Sequence, residues 1–222
     1  SRRLLARVPL GRPITAIVAP GDGPVAHVAL GAATPSGGGA LAAIDLTDPA
    51  APRVLGRFES SWLVLDAAVA GRHAYLAEPG GVRVVTLGTE GLPPRDVTRI
   101  VLEHPTALAI DGGGLHVLTR TSGLFTYDLS QPAAPRLAGF VATPGTGLLV
   151  TGGTAWVAVG DAADGAPGMA RALHAVDVSE PRTPHLLASL DLAVERLAAA
   201  PGTAEIWAAG RELSRWDVSA PA

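Results

Sequence analysis

One short word of residues recurs along the chain. Asp45 to Gly56 reads DLTDPAAPRVLG, Asp128 to Gly139 reads DLSQPAAPRLAG, and Asp177 to Ala188 reads DVSEPRTPHLLA. A partial copy, DVSAPA, stands at Asp217 to Ala222. Arg2 to Arg7 (RRLLAR) begins where that copy stops, with Arg3, Leu4 and Leu5 matching Arg53, Val54 and Leu55. Thr86 to Thr98 (TLGTEGLPPRDVT) is a degenerate version that keeps Pro94-Arg95 but lacks the leading Asp. Asp45, Thr86, Asp128, Asp177 and Asp217 therefore open successive copies 41, 42, 49 and 40 residues apart. A period of this size belongs to a unit that cannot bury its own faces and must stack on its neighbours.

Each period divides into four short apolar stretches bounded by turn residues. The first follows the corner proline: Leu4–Val8, Val54–Phe58, Val97–Val101, Leu137–Val141 and Leu186–Leu190. It suits an outer strand, where a missing proline N–H does little harm. The second is small and apolar, as an innermost strand requires: Ile14–Val18, Leu65–Val69, Ala107–Ile110, Gly147–Val150 and Arg196–Ala199. The third carries one large residue per copy, His27, Tyr75, His116, Trp156 and Trp207, expected to pack between repeats rather than to bind a ligand. The fourth ends at the Asp-x-Ser/Thr corner, whose side-chain oxygens accept N–H groups two residues on. Four strands in about 40 to 50 residues make a propeller blade. The expected fold is therefore all-β, a five-bladed β-propeller of four-stranded antiparallel blades forming one domain over residues 1–222. Its repeats fall at approximately 1–49, 50–92, 93–132, 133–181 and 182–222. The N-terminal strand is expected to join the last blade and close the ring, since closure removes exposed sheet edges.

On GLFTYDLSQPAAPRLAG (Gly123 to Gly139) and IDLTDPAAPRVLG (Ile44 to Gly56) the repeat resembles the LVIVD repeat of bacterial propeller proteins. In that repeat an apolar strand runs into Asp-Val-Ser, then Asp-Pro-x-x-Pro, then a short apolar strand ending in Gly. The likeness extends over essentially the whole chain, and the second copy departs from it at Thr86-Leu87-Gly88. It implies a propeller of exported or surface proteins, hence an extracellular, cell-surface or periplasmic location in a bacterium. It supplies no catalytic residues.

Composition removes whole classes of chemistry. All 17 basic residues are Arg, and the chain has no Cys, Lys or Asn. Thiolate nucleophiles, disulfides, Schiff bases and a P-loop lysine are thereby excluded. The Arg residues are dispersed and the formal charge is −3, so no nucleic-acid partner is expected. Gly21-Asp22-Gly23 with Ala26 imitates a dinucleotide-binding fingerprint but leads into another strand, not a helix, so no cofactor is expected. Asp161, Asp164 and Gly165 lack the alternating acids of a calcium loop, and His27 and His116 lack partners at ligand spacing, so no metal is expected. Leu137 to Gly160 is uncharged, yet its glycines and Pro144 are spaced as turns; two buried strands are expected there, not a membrane span.

The departures from the repeat point to function. In a propeller the D–A and B–C loops share one face, and two B–C loops here are long, Gly31 to Gly39 and Gly160 to Arg171. The expected binding face comprises Arg12, Glu59, Trp62, Glu103, His104, Arg120, Asp161, Arg171, Glu195 and Arg211. Loops on a rigid scaffold are where binding residues concentrate. The leading expectation is a non-catalytic scaffold presenting this face to a protein partner in an exported or surface-associated assembly. The alternative is a carbohydrate-binding or glycan-cleaving propeller, with Trp62 stacking on a sugar and Glu59, Glu103 and Glu195 supplying a carboxylate pair. No catalytic residue is assigned.

Overall fold

The computed structural model describes residues 4–18, 23–34, 37–88, 93–159, 172–192, 194, 196–199, 205–209 and 213–218. It divides into two compact units, Ser1–Val101 and Leu102–Ala222. The first unit holds two four-stranded sheets. One comprises β1 (Ile14–Val18), β2 (Val25–Leu30), β3 (Ala40–Asp45) and β4 (Arg53–Glu59); the other comprises β5 (Asp66–Ala70), β6 (His73–Glu78), β7 (Gly81–Thr86) and β8 (Arg95–Val101).

The second unit holds three sheets. The first contains β9 (Pro105–Asp111), β10 (Gly114–Thr119), β11 (Leu124–Asp128) and β12 (Arg136–Val141). The next contains β13 (Gly147–Thr151), β14 (Thr154–Val159), β15 (Ala172–Asp177) and β16 (His185–Leu190). The last has three described strands, β17 (Arg196–Ala199), β18 (Glu205–Ala209) and β19 (Leu213–Asp217). Every sheet is a simple antiparallel meander in chain order, one per repeat. Residues 137–159 carry most of β12 and all of β13 and β14, and no helix among the described residues is long and apolar enough to cross a membrane.

Hydrophobic cores lie between successive sheets of a unit. In the first unit Ala29 and Leu41 meet Val64, Ala67, Leu76 and Val85. In the second, Leu118 and Leu124 meet Val157 and Val176, and then Leu173 meets Ile206 and Ala208. Threonine hydroxyls reinforce two of these seams. Thr15 Oγ1 donates to the Val64 carbonyl at 3.0 Å, and Thr106 Oγ1 donates to that of Gly145 at 3.0 Å. Both threonines sit at a bulge near the start of an innermost strand, which frees the side chain to cross to the next sheet.

In the third-strand column Trp156 packs against the core that Leu173 and Ile206 share. Tyr75 and His116 are buried, and His27, Trp156 and Trp207 are partly so. Burial holds His116 mainly neutral, pushing its pKa down to about 4, and its Nδ1 lies 3.2 Å from Thr126 Oγ1. Burial also lowers His27 and His174.

One expected element is corrected. Leu4–Val8 forms no strand, and Leu4 and Leu5 are exposed. Val8 and Leu10 pack instead beside Val28, Leu30 and Ile44 of the first sheet, so apolar burial rather than a ladder holds this segment. Pro9 could not have donated to a ladder in any case.

The corners explain the repeated word. Asp45 Oδ1 accepts from the Thr47 N–H and hydroxyl at 2.9 and 2.6 Å, Asp177 Oδ1 from the same groups of Ser179 at 2.8 and 2.6 Å, and Asp128 Oδ1 from the Ser130 N–H at 2.7 Å. The Thr47 and Ser179 hydroxyls are the main reason Asp45 and Asp177 stay below the usual carboxylate range; for Asp128 the Ser130 N–H leads. A second turn follows, with the N–H of Ala51, Ala134 and Thr183 donating to the carbonyls of Asp48, Gln131 and Glu180. Proline stands just after each of those acceptors, where its fixed φ suits the turn. The Leu87 N–H donates to the Arg72 carbonyl at 2.7 Å, as Leu46, Leu129 and Val178 donate to the carbonyls of Pro24, Gly113 and Gly153, but Thr86 supplies no carboxylate.

Two outcomes follow from these groups. Asp128→Ala and Asp177→Ala should each lower the melting temperature at pH 7 more than Thr86→Ala does. Because the native carboxylates are depressed, their stabilisation is present above the ordinary value of 3.8 and is lost as pH falls through the lower native one. The gap between wild type and variants should therefore close in acid, as read by thermal melts from pH 7 to 2. The depressed His116 works over a different window: the unfolded chain binds a proton near 6.5 and the folded one only near 4. Stability should fall as pH drops across that interval, and His116→Gln should flatten that part of the curve.

Candidate functional site

The loop from β4 to β5, Ser60–Leu65, lies backbone to backbone against the loop from β2 to β3. The Ser60 N–H donates to the Gly39 carbonyl at 2.9 Å, and the Gly39 N–H donates to the Trp62 carbonyl at 2.7 Å. A Cβ on Gly38 would stand 1.7 Å from the Ser60 carbonyl oxygen, and one on Gly39 would stand 2.6 Å from the Val64 nitrogen. Only glycine permits so close an approach. The seam fixes the course of the chain on both sides of Trp62.

Side chains complete the mounting. Ser60 Oγ accepts from the Trp62 N–H at 3.0 Å and donates to Glu78 Oε1 at 2.6 Å. Glu78, at the end of β6, is fully buried. Arg83 Nε donates to the same oxygen at 2.9 Å, and its Nη1 pairs with Asp96. The hydrogen bond to Glu78 is the leading reason the Arg83 guanidinium is held above its ordinary value. Arg99 Nη2 lies 3.5 Å from Glu78 Oε2 and donates to the Pro79 carbonyl at 2.9 Å. Glu78 Oε2 itself accepts no hydrogen bond. The two arginines make burial of this carboxylate tolerable, since an unpaired buried ion costs several kcal/mol.

The Arg99 guanidinium stands 5.8 Å from the centre of the Trp62 ring. Trp62 is nonetheless 49% exposed, and its neighbour Leu63 is 37% exposed. Arg12 Nη1 and Glu59 Oε2 approach to 2.8 Å on the same loop face, a charge contact without hydrogen-bond alignment. Three expected face residues of the first unit are thus described, Arg12 and Trp62 on loops and Glu59 at the end of β4, with Glu59 facing an arginine rather than a second carboxylate.

In the second unit Glu103, His104 and Arg120 are exposed. His104 adopts φ +48°, a left-handed conformation uncommon outside glycine, and its carbonyl accepts from the Arg120 N–H at 3.0 Å. The hairpin carrying Arg120 is organised by Thr119, whose buried Oγ1 accepts from the Ser122 and Gly123 N–H groups at 3.1 and 2.9 Å. Asp161, Arg171, Glu195 and Arg211 lie outside the described residues. Among the described residues no group of three His, Asp or Glu side chains converges as a metal site.

Glu78, Arg83, Asp96 and Arg99 belong to no recognisable motif, yet one signal was open to a reader of the repeats. Glu78 stands three residues after Tyr75, where the other copies place Leu30, Thr119, Val159 and Gly210. A carboxylate in an otherwise uncharged column asks for a partner.

No family model and no curated protein matches the chain. Solved structures do. A functionally unknown protein from Desulfotomaculum acetoxidans DSM 771 superposes with a TM-score of 0.70 at 12% identity, covering 90% of this chain and 63% of the other. The chain thus spans just under two thirds of that protein's length. The β-propeller domain of Myceliophteria thermophila Cps50 (Swd1) gives a TM-score of 0.68 at 14% identity, covering 96% and 72%. The computationally designed protein Ika8 gives 0.61 at 11%, covering 94% and 59%. At such identities the likeness is one of fold alone, and the fold is a five-bladed β-propeller, all-β, with blades of antiparallel strands.

Proposed function

We propose that this protein is a non-catalytic scaffold whose Trp62 loop docks a protein partner within an exported or surface-associated bacterial assembly. The observation that carries the reading is a large aromatic side chain left half exposed on a loop whose backbone is held by hydrogen bonds to Gly39 and Ser60. Aromatic anchors of this kind dominate interface energies, and rigid mounting reduces the ordering cost of binding. The Arg99 guanidinium stands over the ring, and the Arg12–Glu59 pair supplies a polar element nearby. Glu78, among the described residues the one carboxylate that is fully buried, is held by Ser60 and Arg83, which suits a structural brace better than a proton donor. The resemblance of the repeat to LVIVD propellers supports the exported setting.

The test compares wild type, Trp62→Ala and Glu78→Gln by photo-crosslinking capture from the native envelope fraction, with melting curves on the same samples. A protein captured by wild type should be lost with Trp62→Ala at an unchanged melting temperature, the affinity falling about 30-fold for a lost anchor worth about 2 kcal/mol. Glu78→Gln should lower the melting temperature and shift the Trp62 emission, because Ser60 loses its charged acceptor. Capture that survives Trp62→Ala removes the loop from the interface. Saturable binding on a glycan array that is lost with Trp62→Ala would favour the carbohydrate reading instead.

A further inference from the structure

The ion pairs that support Trp62 are arranged with their arginines inward and their carboxylates outward. The Glu59 side chain is 56% exposed against 23% for Arg12, its partner, and Asp96 is 52% exposed against 16% for Arg83. Glu59 stands three residues before Trp62, and Asp96 shares β8 with Arg99. Arg83 and Arg99 face each other across the β7–β8 ladder, and both approach the buried Glu78. The first unit thus presents an exposed ring together with two carboxylates, while the cations beneath them are already engaged.

The chain itself shows what the ring accepts. Arg99 lies along the β6–β7 hairpin, so close to its tip that a Cβ on Gly81 would stand 3.2 Å from Arg99 Nε. From there the guanidinium reaches the Trp62 ring, 5.8 Å from its centre, within the range over which a cation is drawn to an aromatic face. A second partner lies behind it. Glu78 Oε2 is buried and accepts no hydrogen bond, and Arg99 Nη2 stops 3.5 Å short of it. A buried carboxylate oxygen without a donor is costly. Arg99 is therefore shared between the ring in front and the carboxylate behind, and closing on Oε2 to about 2.9 Å completes a charge-assisted hydrogen bond.

We propose that the Trp62 ring takes an arginine from a basic segment of the partner protein, in the place that Arg99 holds in the free protein, while Arg99 withdraws onto Glu78 Oε2. The proposal rests on the docking role of Trp62 and adds the chemistry of the partner. An incoming guanidinium finds the ring for its face, and other basic residues of the segment find Glu59 and Asp96. Arginine suits the place better than lysine, since its planar group stacks on an aromatic ring and is weakly hydrated. An acidic segment would meet the two exposed carboxylates instead. The exchange costs Arg99 little, because it gives up the ring for a carboxylate that it already adjoins.

The probe is a fluorescein-labelled Gly-Arg-Gly-Arg-Gly-Arg peptide, titrated with the whole protein and followed by anisotropy, beside the same peptide with citrulline for arginine. Saturable binding is expected, and it should be roughly tenfold weaker for citrulline, which keeps the plane of the side chain and loses its charge. Trp62→Ala should weaken it roughly tenfold at an unchanged melting temperature, and Trp62→Phe should retain most of it. Glu59→Gln should weaken it less. Arg99→Ala should strengthen it about threefold, because the ring is then vacant. The same gain is expected in Arg99→Ala with Glu78→Gln, where no buried carboxylate is left short of a cation. Absence of saturable binding, equal affinity in Trp62→Ala, or tighter binding of a Gly-Glu-Gly-Glu-Gly-Glu peptide overturns the proposal. So does weaker binding in both Arg99 variants, since Arg99 would then draw the ligand rather than yield to it. A protein captured through Trp62 without binding of the arginine peptide removes the basic chemistry and leaves the docking role standing.

Discussion

A four-stranded antiparallel sheet that is apolar on both faces has no stable existence alone, and the rest of this molecule follows from that constraint. Burial must come from the neighbouring sheet, so each core draws side chains from two successive repeats: Leu41 against Leu76, Leu124 against Val157, Leu173 against Ile206. The hydroxyls of Thr15 and Thr106 reach across the same seams and fix the spacing at which those cores close. Stability in such a design is a sum of nearest-neighbour terms. The corner, which costs little apolar surface, is free to hold geometry rather than to supply burial.

On this scaffold the Trp62 loop is an exception to the repeat. Elsewhere polar side chains serve turns, as Asp45, Thr119 and Asp177 do, or the seams between sheets, as Thr15 and Thr106 do. Around Trp62 a fully buried carboxylate, two arginines and a serine converge on one backbone segment, and two glycines let another loop press against it. A buried charge of this kind is poor value for stability alone. Its evident product is a fixed orientation for an exposed ring.

The fold was legible because its signals are local and repeated. Pro-x-x-Pro corners, glycine hairpins and a large residue on each third strand mark four strands per period without reference to distant contacts. Most strand bounds agree with that pattern to within one or two residues. The N-terminal segment is the exception: Leu4 and Leu5 match the repeat word, but a strand also needs a ladder partner, which a sequence match does not supply. Of the site, Trp62, Arg12 and Glu59 could be placed by loop position. Glu78 could not be paired with Ser60, Arg83 and Arg99, because they come from the β4–β5 loop and two further strands and meet only through folding.

The second corner shows how asymmetry arises in a molecule made of copies. Duplication produces equivalent positions, and each is free to lose whatever the surrounding structure already secures. At Thr86-Leu87-Gly88 the carboxylate of the repeated word is gone, yet the ladder from Gly81 to Thr86 and the bond from the Leu87 N–H to the Arg72 carbonyl remain. A polar cap is dispensable where the strands beneath it hold their register by their own pairing. In repeat architectures the least faithful copy is therefore the place where individuality accumulates.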